Sequence, residues 1–463
     1  MNRSWLISLV LLSFIFSACQ PMPSPDAEAS TSTLEAVETD VPVATNTPDL
    51  ESRLGVELGA LDGLTVDVWH PFYGAPSSLF ESQIREFNNT NTWGIQVQSK
   101  SFQNYTELYE QASAAVTGPD KPDVVVGLPE YAVEWYAQEA VLDLAPYVSD
   151  PIYGLSDAQI ADFPSVFWEQ DQVGDLRLGM PAQRTTRLLL YNQTWANELG
   201  FDDPPADATE FREQACEANQ FMRSDEDPQN DGRGGWLLDT HPITNLSWLL
   251  AFGGGAQEDD GFRFLTAENI EATRFIKKLS EDSCAWKTQN TEPLTRFVDR
   301  SSLFATASLE ELPDLARAFA SAGSADKWTV LPFPGAADSA VVVYGSSYIL
   351  FESEDPNQLA AWLFVRWLLS PENQADWVNS AGLFPLQAST IGLLSDYAAG
   401  HPRWTEAVNL LPQGHITPQL AGWRTVRVAL GDGFNFMFRV DTPVGQVPSI
   451  LAQLDAVVAD LNE

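Results

Sequence analysis

Pro122-Asp123-Val124-Val125-Val126-Gly127 decides the fold. Three consecutive valines, entered from proline and left through glycine, make a short strand apolar on both faces, as in a covered parallel sheet. The segments before it keep a regular order. Leu64 to Trp69 alternates with period two, and Ser78 to Asn88 has helical spacing with Leu79, Ile84 and Phe87 apolar. Ile95 to Phe102 alternates again, and Tyr105 to Val116 is helical. A repeated β-α-β order implies an α/β fold with a largely parallel sheet. Ligands of such sheets sit beyond the carboxyl ends of the strands. Those ends are Trp69-His70-Pro71 and Gly127-Leu128-Pro129-Glu130.

Downstream, Arg187 to Tyr191 reads as a strand, Trp195 to Leu199 begins a helix, and Phe211 to Arg223 is helical. Asn245 to Phe252 is an apolar helix ending at Gly253-Gly254-Gly255. Trp328 to Pro334 and Ala340 to Phe351 are strand-like. Asp355-Pro356 reads as an N-cap followed by proline at the first helical position, opening a helix to Leu369. Ser370-Pro371-Glu372 repeats that device for a helix closing near Gly382. The chain carries no internal repeat.

At the start, Met1 to Ser4 is short and polar with one cation, Arg3. An apolar run from Trp5 to Phe16 follows, too short to span a bilayer. It ends in Phe16-Ser17-Ala18-Cys19, which resembles a bacterial lipoprotein signal peptide, 1–18, cut before a lipidated Cys19. The family prefers leucine where this chain has Phe16, and an ordinary signal peptide or a membrane anchor is the alternative. Lipidation places everything downstream outside the cytoplasmic membrane, anchored to the cell membrane by lipid at Cys19. Gln20 to Ser52 holds seven acidic residues and no Lys or Arg. Such a segment buries too little apolar surface to fold. It reads as a flexible acidic tether, about 30–35 Å in reach, within a non-globular stretch 19–60; a propeptide is the alternative.

The 463 residues suggest two or more domains, and the formal net charge is −39. That acidity argues against nucleic acid or an anionic membrane surface as a partner. With Cys19 lipidated, Cys216 and Cys284 remain, an even pair in an oxidising compartment and so an expected disulfide; two buried free thiols are the alternative. No C-x-x-C metal spacing appears.

Further motifs, in order, resemble the extracellular solute-binding proteins of ABC importers, the group that includes maltose-binding protein. Val66-Asp67-Val68-Trp69-His70 looks like the opening strand, and Phe87-Asn88 with Ile95-Gln96-Val97 like the step after it. Pro122-Asp123-Val124 and Leu142 to Tyr147 follow in place. Leu178-Gly179-Met180-Pro181 through Leu190-Tyr191-Asn192 resembles the crossing between lobes. Phe364 to Trp377, with Ser370-Pro371-Glu372-Asn373-Gln374, and Gly382-Leu383-Phe384-Pro385 complete the pattern. Pro204-Pro205-Ala206-Asp207-Ala208-Thr209 only partly keeps the family's segment at that place.

The resemblance implies a two-lobed periplasmic-binding-protein-like (type II) α/β fold with ligand in the interlobe cleft. Lobe I is expected from 61–188 and 325–369, and lobe II from 189–324 and 370–463. The crossings are expected near Arg184 to Leu190, between about Arg317 and Trp328, and near Leu369. The implied partners are a small solute, expected to be a sugar or oligosaccharide, and the permease subunits of an ABC importer. A monomer without cofactor is expected.

Sugars have apolar faces and polar rims, so their sites need aromatic plates and hydrogen-bonding groups. The chain has 15 Trp. Trp362 and Trp367 lie in an apolar helix and read as core. Trp69 and His70 at a strand end, Trp236 after two glycines, Trp248, and Trp423 with Arg424 are candidates for the cleft. A packed loop aromatic is the alternative for Trp236, and Trp248 could equally be a core helix residue. Ser346 and Tyr348, in Gly345-Ser346-Ser347-Tyr348, lie where the family turns a strand close to the ligand, and small residues there let backbone groups reach it; a strand bend is the alternative. Arg184, Arg187 and Glu130 are the charged candidates; a surface ion pair is the alternative for the arginines. Asp225 to Gly232 resembles half a calcium loop, but Gln229 and the missing closing glutamate favour an acidic surface turn, and no metal site is assigned.

The chain lacks G-x-x-x-x-G-K, H-E-x-x-H and G-x-S-x-G. A surface glycoside hydrolase and a non-transport sensor or adhesion module are the competing readings, the former needing a carboxylate pair that no motif singles out.

Overall fold

The computed structural model describes residues 51–118, 120–258, 261–288, 294–336 and 338–459. The signal peptide, Cys19 and most of the acidic segment lie outside them. The body begins earlier than residue 61. Ser52 Oγ and the Arg53 amide donate to the Asp150 carboxylate at 3.0 and 2.7 Å, and Leu54 and Val56 pack on the core. Residues 52–60 therefore belong to the folded unit rather than to a tether.

The first lobe is built on a five-stranded sheet in the order Gln96–Ser101, Thr65–His70, Val124–Gly127, Ser347–Leu350, Met180–Pro181. The first three strands are parallel and the last two antiparallel to their neighbours. Val124–Gly127 is buried at every position, as its continuous valines require. Thr65–His70 alternates, sending Val66, Val68 and His70 into the main core and Trp69 to the opposite face.

The second lobe holds an eight-stranded mixed sheet running Ala285–Trp286, Gly234–Leu237, Ser302–Ser308, Thr185–Asn192, Ser339–Tyr344, Phe333–Pro334, with Trp328–Leu331 and Gly414–His415 paired alongside. A disulfide joins Cys216, on the helix Ala208–Ser224, to Cys284 before the edge strand.

Strand pairing moves two of the expected crossings. The first lies at 182–184, since Met180–Pro181 and Thr185–Asn192 belong to different sheets. The return is at Tyr344 to Ser347, not between Arg317 and Trp328. Trp328–Leu331 and Ser339–Tyr344 both pair with Thr185–Asn192 in the second sheet, so both strands are part of the second lobe. The apparent single strand from Ala340 to Phe351 breaks at Gly345, whose φ of +151° lets the chain turn against the Gln183 carbonyl.

The third expected crossing also shifts. Both Asp355–Leu368 and Pro371–Ala381 stay with the first lobe. Trp377 packs 4.9 Å from Phe72, and its indole donates to Gln83 at 3.1 Å. The chain returns to the second lobe by Pro402–Asn409, where Glu406 accepts from Thr329 at 2.8 Å. Ser370 caps Pro371–Ala381 and Gly382 ends it at φ +71°, as their types favour. The cap of Asp355–Leu368 is Glu354, one residue before the expected Asp355.

Candidate functional site

A cavity of about 760 Å³ opens between the lobes. The first lobe contributes Pro71 to Pro76, where the first strand ends and the helix Gly74–Thr90 begins, and Tyr105, the first residue of Tyr105–Ala115. Asn104 caps that helix by accepting from the Glu107 amide at 2.9 Å, which fixes Tyr105 at the rim. Gln183 of the first crossing forms the floor. The second lobe contributes Glu310, Pro313, Asp314 and Arg317, and the wall is completed by Asn379 to Leu383, Tyr397 and His401. This is the strand-end position expected of an α/β sheet, shared between two lobes.

The lining combines exposed rings with hydrogen-bonding groups. Tyr73 is 78% exposed, and Tyr397 and His401 stack with centroids 4.0 Å apart. Burial raises the Glu310 carboxyl, while the Thr185 hydroxyl, donating at 2.6 Å, favours its charged form. Arg317 is paired with Asp314 on its own helix. Burial also raises the Tyr105 phenol, opposed by hydrogen bonding to Ser346.

Beside the cavity the lobes meet directly. Glu130, at the start of Pro129–Tyr136, lies 3.3 Å from Arg427 on Trp423–Met437. Its carboxyl is raised by burial, and Arg427 pulls it the other way. Nearby, the Gly422 amide donates to Glu134 at 3.1 Å, Tyr109 donates to the same carboxylate, and the Arg424 guanidinium lies 4.2 Å from the Tyr109 ring centre. Glu130 and Arg424 thus sit on the interlobe seam. Arg187 is nearby in the second lobe, bound to Asp239 at 2.9 Å.

The other predicted residues fall elsewhere. Trp236, Trp248 and Trp423 are packed inside the second lobe, with Trp236 and Trp248 in edge-to-face contact at 5.4 Å. Tyr348 is buried in the first-lobe sheet. Their rings fill core rather than the cavity, because the strand and helix faces carrying them turn inward. His70 is fully buried between Phe72 and Phe80; its Nδ1 accepts from the Phe72 amide at 3.2 Å, and burial lowers its pKa to about 4 against the pull of Glu81. Trp69 lies on the opposite face under Lys100, 4.4 Å from the ring centre.

Arg184 belongs to the first crossing between the lobes. It is buried against Asp171 at 2.6 Å and donates to the Ser346 carbonyl at 2.6 Å. The Ala182 and Gln183 amides donate to the same carbonyl, and the Ser347 hydroxyl donates to Asp171. Ser346 therefore ties the two crossing segments together beneath the cavity. Asp225 to Gly232 is a turn closed on itself: Asp225 accepts from the Asp227 amide and the Asn230 side chain, both at 2.7 Å. Among the described residues no three His, Cys, Asp or Glu side chains converge as a metal site.

Sequence reasoning passed over Phe72-Tyr73-Gly74, Tyr105, Gln183, Glu310, Tyr397 and His401. The first two follow a strand end and open a helix, and that position was the available signal. Glu310, Tyr397 and His401 come from distant segments and had none.

A model of bacterial extracellular solute-binding proteins matches residues 82–398. The chain belongs to that family. A binding protein of Brucella abortus (strain 2308) is 21% identical to this solute-binding protein over 292 residues, 60% of this chain and 67% of its own. The sugar-binding protein MalE from Xanthomonas citri superimposes with a TM-score of 0.73 at 20% identity, covering 86% of this chain and 97% of that one. The cyclic alpha-maltosyl-1,6-maltose binding protein from Arthrobacter globiformis gives 0.70 at 18%, covering 86% and 99%. UgpB from Mycobacterium tuberculosis, in complex with glycerophosphocholine, gives 0.66 at 18%, covering 86% and 98%. At these identities the likeness shows the two-lobed fold. The family places this solute-binding protein outside the cytoplasm, and no helix among the described residues is long and apolar enough to cross a membrane.

Proposed function

We propose that this solute-binding protein captures a carbohydrate-like solute between its lobes and delivers it to the permease of an ABC importer, held at the membrane by lipid on Cys19. The observation that carries the reading is the lining of the interlobe cavity. Glu310 can accept hydroxyl hydrogens, Gln183 and Asn379 can donate and accept, and Tyr73, Tyr397 and His401 supply ring faces. The volume lies within the usual range for small-ligand sites. A neutral polyol suits this lining better than an anion, since Glu310 is bonded to neutral Thr185 and Arg317 is already paired. Hinge closure about 182–184 and 344–347 would convert capture into a shape that a permease reads.

Native mass spectrometry of the chain purified without refolding is the test. A mass excess matching a sugar, lost on denaturation and weakened by Glu310→Gln, supports the reading. A stable retained ligand of another class, or the absence of any thermal shift across mono- and oligosaccharides, rejects it.

A further inference from the structure

A second, smaller cavity of about 180 Å³ adjoins the first. The two share Pro313, Tyr397 and His401, so they adjoin along the stacked Tyr397 and His401 rings, which line both. The chambers differ in chemistry. The larger presents Glu310, Gln183 and Asn379. The smaller is bounded by Leu309, Leu312, Trp328 and Trp404, all buried. The Trp404 indole donates to the Leu383 carbonyl at 2.9 Å and Arg403 pairs with Glu406, so neither is free for a ligand. A polar solute fragment would therefore lose hydration there for little return. An engineered cavity of about 150 Å³ lined by apolar side chains stays dry and binds benzene, so the space here matches one six-membered apolar ring.

We propose that this annex is a second subsite that takes an apolar ring carried by the solute in the main cavity. The ligand class is then an amphiphilic glycoside, with its sugar against Glu310 and Gln183 and its aglycone between Trp328 and Trp404. The annex rests on the carbohydrate reading for the identity of the polar part, and on its own lining for the apolar part. A molecule spanning both chambers touches both linings, and burying a phenyl group removes enough apolar surface from water to raise affinity at least about tenfold.

The test measures affinities of the whole chain for matched methyl and phenyl glycosides of glucose, galactose and maltose. It is repeated in Ala316→Trp and Ala316→Phe, which add bulk at an exposed helix position bordering the annex but not the main cavity. The expected result is a phenyl glycoside binding at least tenfold tighter than its methyl partner, with that gain lost in either variant and methyl glycoside affinity unchanged. Equal affinities, or a gain that survives both variants, overturn the annex while leaving the sugar reading in place. Binding of no glycoside rejects the sugar reading, and phenol alone then decides the annex. A thermal shift with phenol that both variants abolish retains an apolar-ring site, and none removes it.

Discussion

His70 shows how burial sets a single residue's chemistry. It has no exposed surface, and its pKa is lowered to about 4, so the folded protein holds a neutral imidazole. The unfolded chain takes up a proton below about 6.5. Stability from this residue is therefore present above that pH and is lost as pH falls from about 6.5 to about 4. At pH 5 the loss is about 2 kcal/mol. His70→Asn keeps an acceptor for the Phe72 amide, and urea unfolding at pH 7 and 5 should show that much less acid sensitivity than the native chain. The buried Arg184–Asp171 pair makes a different prediction. Removing one partner leaves the other charged and buried, so Asp171→Asn should cost about 3–5 kcal/mol of unfolding free energy. A cost below about 1 kcal/mol would show that the pair is solvated.

At the level of elements, the crossing segments are the point of greatest constraint. Gly345 holds φ +151°, and a Cβ there would collide with the Gln183 carbonyl oxygen. Gly345→Ala should cost about 2–4 kcal/mol, read as a lowered midpoint in chemical denaturation. The same change should slow or weaken ligand-induced closure, because the two strands it separates belong to different lobes. An alanine variant of native stability would place the pivot elsewhere. Strand character from Ala340 to Phe351 was readable from its apolar residues and a bend at Gly345 to Tyr348 from its small residues, but that the bend carries the chain from one lobe to the other was not. That crossing depends on Gln183, more than 150 positions earlier in the chain.

For the whole molecule, the Glu130–Arg427 contact bridges the lobes beside the cavity. Arg427→Met removes the cation and leaves the Glu130 carboxyl without it. The expected outcome is a larger radius of gyration in unliganded solution scattering, as the open population grows, with the native dimension restored by saturating ligand. Identical curves for the two proteins would mean that this contact does not bias closure.

The sequence by itself determined the α/β class, the strand at Val124–Gly127, the caps at Ser370 and Gly382, and the order of motifs that marks the family. These are local properties of periodicity, turn chemistry and spacing, which survive as written in the chain. The tertiary structure alone decided which aromatic residues face solvent. Trp236, Trp248 and Trp423 share composition with a sugar platform, yet their elements turn them into the core. It alone also brought Tyr105, Gln183, Glu310, Tyr397 and His401 to one cavity. A two-lobed site is assembled from segments that share no local pattern, so its members become visible only once the lobes are folded against each other.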